Sequence, residues 1–201
     1  TLAEIRDRVT TFLRKYNEEN PRQKMDLVLF EDAIRHLLSI NRLMEIPRSS
    51  GLLVGVGGSG KRSLTLLSAY ISGAAMFQIA HSEGYGISQL KKDLRSLFLS
   101  AGQQRRPTCF LFWQLESNFV EVIDSVLRTG TVPGGLFDPD ELRSITAELS
   151  PHFAIDCPDV VENAYNLEKY FYATVRNNLH IFICMSPVGS RFRELGRDFA
   201  G

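Results

Sequence analysis

Apolar residues recur along this chain in two rhythms, and their alternation gives the first outline of a fold. Leu2, Ile5, Val9, Phe12, Leu13 and Tyr16 return at helical spacing among charged neighbours, which predicts a surface helix over residues 1–20. Asn20-Pro21 ends it, and a short apolar segment, Met25-Asp26-Leu27-Val28-Leu29-Phe30, follows. Ala33, Ile34, Leu37, Leu38, Ile40 and Leu43 predict a second helix over about 31–44, closed by Pro47 and the polar turn Arg48-Ser49-Ser50-Gly51. Leu52 to Val56 reads as the first central strand. A helix over 60–72 comes next, stopped by Gly73.

The same alternation continues. Phe77-Gln78-Ile79 is a short strand, and a loop over 82–86 leads to a helix with Leu90, Leu94, Leu97 and Phe98 on one face, closed by Ala101-Gly102. Thr108-Cys109-Phe110-Leu111-Phe112-Trp113 is a near-continuous apolar run, as expected of a strand buried on both faces of a parallel sheet. Phe119, Val122, Ile123, Val126 and Leu127 mark another helix. A turn-rich loop over 130–139 precedes a helix over 140–149, with Asp138 as its expected cap. Residues 150–158 read as irregular, 160–177 as helix, 178–185 as a second buried strand, and a last helix begins near Ser190. Strands alternating with helices predict an α/β domain with a mostly parallel sheet, preceded by N-terminal helices. Ligands of such sheets bind at the carboxyl ends of the strands.

One of those ends carries unusual chemistry. Gly55-Val56-Gly57-Gly58-Ser59-Gly60-Lys61-Arg62-Ser63 lies between a strand and a helix and satisfies G-x-x-x-x-G-K. Four glycines in the six positions 55–60 clear side chains from where a backbone would wrap a triphosphate. The loop N–H groups and the positive end of the following helix favour phosphate oxygens, and Lys61 would reach the outer ones. A hydroxyl is expected after the lysine to hold magnesium, but Arg62 stands there. Ser63 is one step later, about 100° around the helix, and reads equally as an imperfect magnesium ligand or as a capping and packing residue.

Composition narrows the class. Among 201 residues, Lys+Arg and Asp+Glu are equal at 23 each, so no basic excess suggests nucleic acid or an anionic membrane. An apolar fraction of 44% supports a real core, and no apolar run approaches a membrane span. Cys109, Cys157 and Cys184 have no metal-ligand spacing, and Cys109 and Cys184 lie in apolar runs, which suits core thiols and a reducing compartment. His36, His81, His152 and His180 form no cluster and read as ordinary surface or core residues. The chain opens on Thr1 and ends on Gly201, as a fragment of a longer protein would.

Hydrolysis needs more than the loop. A strand ending in Asp, often followed by Glu, would steady magnesium and orient the attacking water. Phe110-Leu111-Phe112 is the right strand, yet it exits into Trp113-Gln114-Leu115, and the first carboxylate is Glu116 at the start of the next helix. Glu116 is a candidate water activator, though acids at helix starts commonly serve only the dipole. Ser186, leaving the last strand, could hydrogen-bond a γ-phosphate or simply turn the chain before Pro187. Arg191, Arg193 and Arg197 form either a solvated basic face or a source of a trans-acting arginine.

Beyond these elements, a set of motifs resembles the fourth AAA+ module of dynein heavy chains, in its ciliary or axonemal form or as a divergent dynein-like paralogue. The residues that carry it are Met25-Asp26-Leu27-Val28-Leu29-Phe30-Glu31-Asp32-Ala33 with His36, Gly51 through Lys61, Phe77-Gln78-Ile79, Asp93-Leu94-Arg95, Gly130-Thr131-Val132-Pro133, Asn178-Leu179-His180 and Cys184-Met185-Ser186-Pro187-Val188-Gly189. The resemblance implies a P-loop NTPase (AAA+) three-layer sandwich, with residues 1–24 as an N-terminal helical or linker segment and 25–201 as the large α/β subdomain, its small helical lid missing. It implies ATP or ADP as ligand, with Mg2+ as companion. Gly55, Gly57, Gly58, Ser59, Gly60, Lys61, Arg62 and Ser63 would hold the phosphates and metal, and Leu27 and Val28 would lie against adenine. Ser186 falls at the first sensor position, and Arg197 at the arginine presented to the preceding module's nucleotide.

Departures from the family pattern shape the functional expectation. Arg62 follows the lysine, though ciliary relatives often lack Ser or Thr there too; the stretch after Phe112 is about two residues short of the family pattern and lacks its acidic pair, and Phe199-Ala200 also stands where Phe-Pro is usual. The expected function is a nucleotide-binding regulatory or structural module of a microtubule motor ring, with weak hydrolysis or none. The alternative is a working ATPase with Glu116 and Ser63 as stand-ins. The implied partners are the neighbouring AAA+ modules, other dynein chains and, through the rest of the heavy chain, microtubules, with neither nucleic acid nor membrane. The implied location is the cytoplasmic cytoskeleton or the axoneme of a cilium or flagellum.

Overall fold

The computed structural model describes residues 1–79, 85–112 and 117–187. Helix α1 spans Leu2–Glu19 and buries only Val9 and Tyr16, so it lies on the surface as its sparse apolar stripe predicts. Its Asn17 side chain brackets Met25: the amide donates to Met25 O at 2.9 Å and the carbonyl oxygen accepts from Met25 N at 2.7 Å. This pair fixes where the apolar 25–30 segment leaves α1. Helix α2, Glu31–Glu45, buries Ala33, Ile34, Leu37, Ile40 and Met44. Strand β1 is Gly51–Val54, shorter than the 52–56 expected, with Val56 already in the loop. Helix α3, Lys61–Ser72, ends on Gly73 at φ +67°, where the carbonyls of Ala69 and Tyr70 accept from the cap N–H.

Strand β2 is Ala75–Gln78 and helix α4 is Ile87–Phe98. The latter runs past the expected stop at Gly102 as a wider turn, Leu99–Gln103, in which Gln104 N reaches Leu99 O at 2.9 Å. Gly102 sits there because a Cβ would lie 2.5 Å from Phe171 Cε2 and 2.6 Å from Val175 Cγ2. Strand β3, Thr108–Phe112, is buried at every position, as its apolar run predicts. Helices α5, Ser117–Thr129, and α6, Pro139–Ala147, follow. Asp138 occupies the cap position of α6, but its side chain makes no capping hydrogen bond.

Two sequence expectations fail in the next stretch. Residues 150–156 form helix α7, Ser150–Asp156, not an irregular segment. The following helix, α8, starts at Ala164 rather than Val160 and runs to Asn178, capped by the Asn163 side chain on Asn166 N. Val160 and Val161 are exposed outside it. Strand β4, Leu179–Met185, is the last described element. The expected final helix near Ser190 lies outside the described residues.

The sheet is wholly parallel, in the order β1-β4-β3-β2. Among the described residues β1 is therefore an edge strand rather than a central one, with Leu52 and Val54 exposed. One face packs Cys109, Leu111, Phe182 and Cys184 against α1, α2 and α3. The other packs Phe110, Phe112, Ile181 and Ile183 against α4, α5, α6 and α8. Helices thus cover both faces of a parallel sheet in three layers, the arrangement of an α/β domain. No helix among the described residues is long and apolar enough to cross a membrane.

Candidate nucleotide site

The glycine-rich loop leaves the sheet beside the end of β4. Val54 pairs with Met185, and one residue later Gly55 N donates to Met185 O at 3.0 Å. Ser186 follows Met185 directly, so it stands exposed next to the base of the loop. The loop then doubles back through Gly58 at φ +75° and Gly60 at φ +77°, a left-handed region that costs L side chains strain. Gly60 ends on the first helical bond of α3, Leu64 N to Gly60 O at 2.8 Å.

Lys61 folds into this ring. Its Nζ donates to Gly55 O at 2.7 Å, Val56 O at 2.8 Å and Ser59 Oγ at 3.0 Å. A Cβ on Gly55 would come within 3.0 Å of Ser59 Oγ and 3.5 Å of Lys61 Nζ, so a side chain there would crowd the inside of the turn and push on the Ser59 hydroxyl. A side chain on Gly57 or Gly58 would meet nothing within 4 Å. Packing within the protein therefore does not demand glycine at those two positions. A bare outer rim over a turn that faces a helix start suits a bulky anion wrapped by backbone N–H groups. The chain present thus fits a nucleotide phosphate tail.

The residues flanking the loop divide into two sets. Leu27 Cδ2 lies 3.6 Å from where a Cβ of Gly60 would be, so the 25–30 segment reaches the loop although it is far off in sequence. Beside it Val28 is 76% and Phe30 58% exposed, which leaves an apolar rim next to the loop. Arg62 goes elsewhere: its Nε donates to Gln78 Oε1 at 3.0 Å, at the end of β2. Its charge also offsets part of the rise that burial imposes on the Tyr16 phenol. Ser63 is half-buried on the second position of α3 beyond Lys61.

Under the loop lies Cys184, opposite Leu53 in register. Burial pushes its thiol up to about 11, and the Lys61 ammonium draws it partly back. His180, also buried, shares a 2.9 Å hydrogen bond with Ser49 O, and because a carbonyl only accepts, Nδ1 carries the proton. Desolvation holds the His180 pKa below its ordinary value. The sequence alone puts Cys184 in an apolar run and leaves His180 as an ordinary surface or core residue, with neither partner visible. Glu116, Arg191, Arg193, Arg197, Trp113, Gln114 and His81 lie outside the described residues. Among the described residues no group of three or more His, Cys, Asp or Glu is placed to hold a metal.

Comparison with known proteins matches this chain to one family. The family described as "P-loop containing dynein motor region D4" matches residues 25–201. Mouse dynein axonemal heavy chain 5 is 42% identical over 202 aligned positions, covering 99% of this chain. Human dynein axonemal heavy chain 17 is 41% identical over 98% of it. The dynein gamma chain of the flagellar outer arm of Chlamydomonas reinhardtii is 39% identical over all of it. In each case the chain spans only 4% of the relative's length. The matched stretch includes the glycine-rich loop, α3, β3 and β4, and the chain belongs to the dynein motor region D4 family of P-loop AAA+ modules.

Proposed function

We propose that this chain is a nucleotide-holding sector of a dynein heavy chain, one module of an ATP-driven microtubule motor ring in the axoneme of a cilium or flagellum. ATP or ADP binds at the loop. Gly55, Gly57, Gly58, Ser59 and Gly60 cradle the phosphates with backbone N–H groups, and Leu27 and Val28 contact adenine. Lys61 exchanges its loop acceptors for phosphate oxygens. Ser186 touches the outer phosphate or its water as a sensor, and Arg197 reaches the nucleotide of the preceding module. The bound nucleotide supplies charge that orders the loop and its neighbours. The neighbouring modules and other dynein chains are the partners, with microtubules reached through the rest of the heavy chain.

The observation that carries this reading is the contrast between Lys61 and Arg62. Lys61 is pre-placed inside the glycine ring by three acceptors. Arg62, at the position where a magnesium-holding hydroxyl is expected, is drawn to Gln78. A loop with its phosphate lysine in place and its metal hydroxyl replaced suits retention better than turnover. Mg2+, if it accompanies the nucleotide, would rely on Ser63. The test is nucleotide released from purified intact protein by denaturation. Wild type should carry close to one more nucleotide per chain than Lys61→Ala, with unchanged steady-state turnover per chain. Equal content in the two would contradict it.

The second reading is a working ATPase in which Glu116 activates water and Ser63 holds magnesium. It rests on the carboxylate at the start of α5 in sequence. Glu116→Gln would then lower turnover while leaving bound nucleotide in place, and equal turnover removes it.

A further inference from the structure

At the opposite end of the sheet from the loop, the starts of β1 and β4 enclose a hollow of about 20 Å3, lined by Arg48, Ser50, Val126, Arg176, Leu179 and Ile181 among others. On the scale where one water needs roughly 10–15 Å3, this holds one or two oxygen-sized atoms. Arg176 lines it from the last turn of α8, and its Nε is fully buried with no hydrogen-bond partner, the only such side-chain atom among the described residues. The position of Arg176 is enforced. Gly130, at φ +75°, packs on its stem so closely that a Cβ would fall 2.4 Å from Arg176 Cγ. Arg48 comes from the other side, where its Nε donates to Asn177 Oδ1 at 2.9 Å. Its backbone takes φ +64°, a conformation that asparagine or glycine adopts more easily. Ser50 adds a hydroxyl whose oxygen already accepts from Ile181 N at 3.1 Å, leaving its hydrogen to donate.

Two guanidiniums therefore line one small hollow. No carboxylate of the described residues makes an ion pair with either. A single water would satisfy the orphaned Nε but leave the Arg176 charge, partly withdrawn from solvent, without a counter-ion, while Arg48 is exposed and keeps its hydration. We infer that this hollow is a carboxylate socket, in which Arg176 and Arg48 grip one carboxylate with Ser50 donating to it. Charge-assisted hydrogen bonds from arginine to a carboxylate are the strong ones, and a planar two-oxygen head matches the guanidinium fork. The carboxylate comes either from a free small acid or from an Asp or Glu side chain elsewhere in the same heavy chain. The socket is separate from the nucleotide loop and does not depend on the function proposed for it.

Hydrogen exchange at the Ile181 amide in the intact protein tests this, with formate as the probe against chloride at equal ionic strength. If the socket takes a free carboxylate, formate at ten times its dissociation constant slows exchange about tenfold in wild type. Arg176→Met, which keeps the stem against Gly130, abolishes the response. So does Arg48→Met, a change at an exposed side chain that leaves the core untouched. If a protein carboxylate already fills the socket, exchange is slow in chloride, indifferent to formate, and faster in both variants. Exchange that is the same in wild type and Arg48→Met in both salts overturns the inference and leaves a water-filled hollow. So does a formate response that survives in either variant.

Discussion

The two faces of the sheet are built from different materials. The face away from the glycine loop is crowded with rings. Phe110 and Phe112 contact edge-on at 4.3 Å, and Phe171 meets both Tyr172 at 5.2 Å and Phe137 at 6.0 Å. The face that carries α3 and the loop is mostly Leu, Ala, Met and Cys with Val9 and Ile40, and its rings are fewer: Phe182, fully buried, and Tyr16, edge-on to Tyr70 at 5.3 Å. It also buries the hydroxyls of Thr65 and Ser68, which bond to Lys61 O at 2.9 Å and Leu37 O at 3.2 Å. Interlocked rings resist displacement because each has a preferred edge-to-face geometry. Small aliphatic and thioether side chains repack at lower cost. The contrast assigns the aromatic face to a rigid platform. The loop face, with more unbranched and small side chains around α2, α3 and the 25–30 segment, is the one expected to repack at lower cost.

The largest expected effect comes from breaking the platform. Phe171→Ala, at a side chain with no exposure, should destabilise the protein by about 3–5 kcal/mol in urea unfolding. Next is Gly102→Ala, which forces a methyl into Phe171 and Val175 and should cost about 1–3 kcal/mol through overpacking. On the loop face, Met44→Leu at a comparably buried site should cost less than about 1.5 kcal/mol. If Met44→Leu proves as damaging as Gly102→Ala, the two faces do not differ in compliance.

A smaller effect depends on pH. His180 has a folded pKa below the ordinary imidazole value of about 6.5, because burial penalises the imidazolium. The unfolded chain then binds the proton more readily, so stability rises with pH through this window. The contribution is complete above the unfolded value and is lost as pH falls through the folded one. Wild type should therefore lose more stability than His180→Gln between pH 7 and pH 5. Parallel pH profiles would show that His180 is not held neutral.

Much of this fold is legible in the sequence because burial writes itself into runs and periods. The five residues of β3 are apolar or small without a break, and all five are buried. The stripes of α2 and α3 place those helices within a residue of their observed ends. The loop was readable because a glycine ring and a lysine need a strand before and a helix after. Helix α7 was not readable, since it has seven residues, starts with Pro151 near its N-terminus and buries only Phe153, too little for a period. The exposed pair Val160 and Val161 mimicked the start of α8, whereas the true signal was Asn163, a capping residue. Partners far apart in sequence left no trace. The bond from Arg62 to Gln78, that from His180 to Ser49 and the approach of Leu27 to Gly60 are set by how the helices, the strands and the 25–30 segment pack together, not by any local pattern.

The glycine-rich loop is proposed to retain nucleotide through Lys61 with little help from a metal. Equilibrium binding of labelled ATP to the intact protein, with and without magnesium, in wild type and Lys61→Ala, tests it most directly. Loss of the lysine's charge-assisted hydrogen bonds, worth about 1.5–3 kcal/mol, should weaken binding at this site roughly tenfold to a hundredfold. Because Arg62 is committed to Gln78 at the position of the metal hydroxyl, removing magnesium should weaken wild-type binding by less than the Lys61→Ala change does. A site that binds no ATP in wild type would contradict the account. So would one that releases ATP entirely when magnesium is removed while remaining indifferent to Lys61.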